Sequence, residues 1–62
     1  MKRRDLLKHI ADIAKAQHAE AVWKEGGSHT KITIGARTTM IPRHNEIKEP
    51  LARQILRDLT ED

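Results

Sequence analysis

The sequence contains no cysteine. A disulfide-stapled secreted scaffold, a thiol nucleophile and a thiolate zinc site are therefore excluded. Phenylalanine and tyrosine are also absent, and Trp23 is the single aromatic residue. A sheet that grips RNA by stacking bases on exposed rings is not expected from such a chain. No apolar run approaches the roughly 20 residues of a membrane span. The basic start Met1-Lys2-Arg3-Arg4 leads into Asp5, not into the apolar stretch of a signal peptide. The expectation is a soluble, cytoplasmic chain with no membrane attachment.

What is present is charge. Twelve lysines and arginines face nine carboxylates, a net of +3. Asp58, Glu61 and Asp62 lie at the very end, so twelve cations against six carboxylates leave residues 1–57 at +6. A small basic body suits a polyanionic partner such as RNA or DNA, and it equally suits a plain solvated surface. With 62 residues, the chain has room for one domain, 1–62, and a modest core.

Hydrophobic spacing orders the elements. Leu6, Ile10 and Ile13 recur at i, i+4, i+7, with Leu7 and Ala14 beside them, and predict a helix over Lys2–Ala16. Gln17-His18 is its exit. Ala19–Glu25 reads as a weak strand with Ala19, Ala21 and Trp23 on one face. Gly26-Gly27 predicts a hairpin turn at positive φ. A clearer strand follows, with Ser28, Thr30, Ile32 and Ile34 on one face and His29, Lys31 and Thr33 on the other. Gly35-Ala36 is a second turn. Arg37–Ile41 is a third strand, stopped by Pro42. Arg43–Lys48 reads as a polar connection. Pro50 suits the first turn of a last helix. Leu51, Ala52, Ile55, Leu56 and Leu59 form its apolar stripe, with Arg53, Gln54, Arg57 and Asp58 facing away. The acidic end, residues 58–62, opposes the helix dipole and is expected to fray.

The order α-β-β-β-α predicts a small α+β two-layer sandwich with both helices on the face of Ile32 and Ile34. His29, Lys31 and Thr33 then look out from the uncovered face.

Of the four histidines, no two sit at i, i+4, so no metal site and no metal cofactor are expected. His9 reads as a helix-boundary residue and His18 as a helix-exit residue. His29 starts a strand beside a glycine turn, with Lys31 two residues on and on the same face. An imidazole that exchanges protons near neutral pH, with a cation to hold phosphate, is the minimum set for cutting RNA through its 2′-OH. An exposed strand histidine with no chemical role is the plain alternative. Ser28 and His29 are strand neighbours, so a Ser–His dyad is expected to be awkward. His44 reads either as a site residue or as loop packing.

The sequence resembles a known family. Gly27-Ser28-His29 after a short strand, two further strands, Ile41-Pro42-Arg43-His44-Asn45-Glu46-Ile47 and a helix from near Leu51 together resemble the HicA toxins of bacterial type II toxin–antitoxin modules. The similarity runs from Lys2-Arg3-Arg4-Asp5-Leu6-Leu7-Lys8 to Leu51-Ala52-Arg53-Gln54-Ile55-Leu56. The resemblance implies a fold like a double-stranded-RNA-binding domain. It implies an mRNA interferase that needs no cofactor and whose catalytic histidine is His29. It also implies a HicB-like antitoxin that covers His29, with mRNA as the substrate and no direct DNA binding by this chain. Ser28, Lys31, Lys24, Arg37 and His44 are the expected RNA- or phosphate-binding residues. Thr30 stands where many members carry a second histidine, so the second catalytic group is open among Lys31, Lys24 and His44, in that order. A non-catalytic double-stranded-RNA-binding module and an inactive toxin homologue are the alternatives. The first is disfavoured by Lys48-Glu49-Pro50-Leu51-Ala52-Arg53, which lacks a lysine cluster at the last helix.

Overall fold

The computed structural model describes residues 1–60; Glu61 and Asp62, with the part of the expected fraying that falls on them, lie outside the described residues. Helix α1 spans Arg3–Ala16, strands β1, β2 and β3 span Ala21–Glu25, His29–Ile34 and Arg37–Pro42, and helix α2 spans Glu49–Thr60. The α-β-β-β-α order is the expected one. The strands form one antiparallel meander in the order β1-β2-β3.

Both helices cover one face of this sheet. Leu6, Ile10 and Ala14 of α1 meet Ile32 and Ile34 of β2, Ile41 of β3, and Ala52, Ile55 and Leu59 of α2. Met1 touches Glu49 at one end of the helix pair, and Gln17 Nε2 donates to the Leu59 carbonyl at the other, so the helices run side by side in the same direction. Ile47, expected in a polar connection, is fully buried and closes the core from the β3–α2 loop.

The exit of α1 explains why β1 begins at Ala21 and not at Ala19. His18 adopts φ 53°, a left-handed conformation. Its N–H bonds to the Lys15 carbonyl at 3.1 Å, and the Ala19 N–H reaches back to Ala14 at 2.9 Å. This is a Schellman closure with histidine at the position glycine usually fills. The chain spends residues 17–20 reversing direction before it can join the sheet.

The two hairpin turns differ. Gly35 has φ 62°, as a Gly-first two-residue hairpin loop requires. The expected positive φ at Gly26-Gly27 is not found; neither glycine adopts it. Gly26 instead pairs with His29, its N–H bonding the His29 carbonyl at 2.9 Å, so Gly27 and Ser28 form the turn. Absence of a side chain matters at Gly26 because a Cβ there would lie 3.1 Å from the His29 carbonyl.

Three further boundaries move. Lys2 caps α1 and forms a β-bridge with Glu46. Pro42 joins β3, tolerated because β3 is an edge strand. Helix α2 starts at Glu49 and is regular through Thr60, whose hydroxyl bonds the Leu56 carbonyl at 2.8 Å. Leu51 leaves the expected stripe and is 42% exposed. Asp58 does not face away: its Oδ2 accepts a 2.9 Å hydrogen bond from Thr39, a buried residue of β3. A carboxylate at this position satisfies a hydroxyl that burial would otherwise leave unpaired.

Candidate active site

The register fixes which residues share the uncovered face. Val22 pairs with Thr33, and Lys24 with Lys31. Lys31 in turn pairs with Met40, and His29 with Pro42. The uncovered face therefore carries Val22, Lys24, His29, Lys31 and Met40, all exposed. The expected placement of His29, Lys31 and Thr33 is met, and Lys24 joins them across the strand pair. Lys24 and Lys31 are directly opposed, and like charges in that position weaken a sheet. An anion lying between them would remove the repulsion.

Arg37 is not part of this group. It pairs with Ile34, a core residue, so it belongs to the helix-covered side, at the opposite end of β2 from His29. Alternation along β3 requires this, because Ile41 must be buried and lies an even number of residues away. His44 stands exposed on the loop after β3; among the described residues no hydrogen bond ties it to His29.

Ser28 departs from expectation in the other direction. Strand alternation makes a Ser–His contact awkward, but β2 begins at His29 and Ser28 belongs to the turn. Freed from alternation, its Oγ lies 2.9 Å from His29 Nδ1. When Nδ1–H donates to Ser28, Nε2 carries the lone pair and is the nitrogen left to accept a proton.

Behind the turn lies a polar network that sequence reasoning missed. The Arg43 guanidinium donates to the Gly26 carbonyl at 2.6 Å and to Glu25 Oε1 at 3.0 Å. Glu25 Oε1 also accepts from the Thr30 hydroxyl at 2.5 Å. Thr30, fully buried, accepts from Arg3 at 2.8 Å, and Arg3 Nε donates to the Pro42 carbonyl at 3.2 Å. The Thr30 hydroxyl foremost, then the charges of Arg43 and Arg3, hold the Glu25 carboxyl below its ordinary range. The network ties α1, both hairpin strands and the β3–α2 loop to the turn that presents His29. Its signal was available in part: Pro42 pairs with His29, which puts Arg43 at the end of β2, where its long side chain reaches Glu25 and Gly26 at the end of β1.

Among the described residues, no three His, Asp or Glu side chains gather as metal ligands would. No described helix is long and apolar enough to cross a membrane. Comparison with protein families, with curated proteins and with solved structures finds no match to this chain.

Proposed function

We propose that this protein is a HicA-like toxin, a metal-independent endoribonuclease that cuts mRNA with His29 as general base. The observation that carries the reading is the exposed imidazole of His29, held through Nδ1 by Ser28 on a sheet face shared with two opposed lysines. His29 Nε2 takes the proton of a ribose 2′-OH. The 2′-oxygen attacks the adjacent phosphorus, the P–O5′ bond breaks, and the 5′-oxygen leaves with a proton taken from solvent water. Lys31 and Lys24 stabilise charge on the phosphorane. The products are a 2′,3′-cyclic phosphate, or the 3′-phosphate from its hydrolysis, and a 5′-hydroxyl. Work on mRNA places the protein in the cytoplasm.

The same face suits an acidic, HicB-like antitoxin. Carboxylates opposite Lys24 and Lys31 would speed encounter and cover His29, leaving the helices free.

The test is RNA cleavage by the purified chain in EDTA, with His29→Ala alongside. Wild type should leave cyclic or 3′-phosphate ends, and His29→Ala should be inactive with an unchanged circular dichroism spectrum, because His29 is exposed. Activity in folded His29→Ala, or 5′-phosphate products dependent on Mg²⁺, would overturn the proposal. In a bacterium, expression should arrest growth, and co-expression of the adjacent gene should relieve it.

A further inference from the structure

Two open clefts at the His29 end of the sheet adjoin each other. The first, about 540 Å³, is lined by Arg3, Glu25, Arg43 and Asn45. The second, about 300 Å³, is lined by Lys2, Arg3, Arg4, Asn45 and Glu46. They share Arg3 and Asn45 as a common wall, and together they line a basic trough that runs from the β1–β2 turn to the start of α1. Four cations and two carboxylates line it, a net of +2.

Both carboxylates are already engaged. Glu25 is held by Thr30 and Arg43, and Glu46 by the Met1 amine at 2.8 Å. The two central arginines are fixed but not exhausted. A guanidinium has five N–H donors. Arg3 commits one at Nε and one at Nη2, leaving three. Arg43 commits two at Nη2, also leaving three. Arg4 is exposed and carries a whole guanidinium to the far end. Preorganised arginine forks with spare donors are the usual means of holding phosphate.

The trough lies at the end of the sheet that carries His29. Thr30, bonded to Arg3, is the residue after His29, and Arg43 follows Pro42, the partner of His29 across the strands. We infer that this Arg43–Arg3–Arg4 trough is a second phosphate track, which takes the RNA backbone as it leaves His29 and passes around the sheet end. The inference rests on the ribonuclease reading, since it extends the path of that substrate. An acidic peptide segment is the rival occupant. RNA is favoured because planar arginine donors repeat along the trough while no apolar anchor lines it.

The test measures binding of a labelled oligouridylate to the protein in a His29→Ala background, so that the RNA stays intact. Arg4→Gln and Arg43→Gln are compared with Lys15→Gln, an equal charge change on the last turn of α1. Thermal melts check each variant for folding; Arg4 is exposed and its side chain makes no hydrogen bond or ion pair among the described residues, so it keeps the test decisive if Arg43→Gln unfolds. Arg4→Gln and Arg43→Gln should each weaken binding about three- to tenfold, and each should lower the slope of log affinity against log salt by about 0.7. Lys15→Gln should do neither. Equal loss in Lys15→Gln, no loss in Arg4→Gln, or an effect confined to an acidic partner protein would overturn the trough. If cleavage by the His29 form fails while oligouridylate still depends on Arg4, the ribonuclease reading falls and the trough stands. If cleavage holds and binding ignores Arg4, the reverse is true.

Discussion

Lys24 and Lys31 face each other across β1 and β2 on the side of the sheet that no helix covers. A sheet selected for stability alone would put opposite charges there, at a gain of about 0.2–1 kcal/mol. Lys24→Glu should therefore raise the melting temperature by a few degrees, since about 1 kcal/mol moves a domain of this size by 4–8 °C. It should also weaken RNA binding and slow cleavage. A variant that is more stable and equally active would show that the pair has no part in the site.

Ser28 is proposed to orient His29, not to hold phosphate. Ser28→Ala removes one hydrogen bond to Nδ1. Such a bond is worth about 0.5–1.5 kcal/mol, so kcat should fall about two- to tenfold with KM little changed. A rise in KM at constant kcat would assign Ser28 to substrate binding.

His18 occupies a left-handed position at the end of α1. Left-handed backbone costs a side-chain-bearing residue about 1–2 kcal/mol, partly offset by the entropy glycine loses on folding. His18→Gly should stabilise the fold by about 0.5–1 kcal/mol in urea titrations. The substitution lies far from the site, so cleavage should not change.

Glu25 titrates below its ordinary range because Thr30 and the arginines favour its charged form. Its contribution to stability is complete above the ordinary carboxylate value and is lost as pH falls through the depressed folded value. Thermal melts from neutral pH into the acid range should show Glu25→Gln with a flatter profile than wild type. Parallel profiles would mean that the carboxylate adds nothing to holding the turn.

The element order was legible because each element has a strong apolar signature. Ile32 and Ile34 can be buried only if Lys31 and His29 are not, and this alone placed the candidate base correctly. Three misreadings came from treating residues by their own segment. Asp58 looked like surface by helix spacing, yet Thr39 on another element needed an acceptor. Arg37 was expected among the phosphate-binding residues, yet its strand partner Ile34 sets its side of the sheet. Ser28 was assigned strand geometry although it lies in the turn. Pairing across strands, not periodicity along them, decides the last two, and that information becomes available once both hairpin registers are worked out together; Asp58 is decided by how α2 packs on β3.

Trp23 sits on β1 opposite Ile32, yet remains 41% exposed because β1 is an edge strand that the helices cover incompletely. As the one indole in a chain without tyrosine or phenylalanine, it accounts for all the aromatic fluorescence. Half in solvent already, it gives a muted signal when the core melts. Its emission is instead a reporter of whatever settles against the first strand, so an optical titration would register docking there more clearly than it registers unfolding.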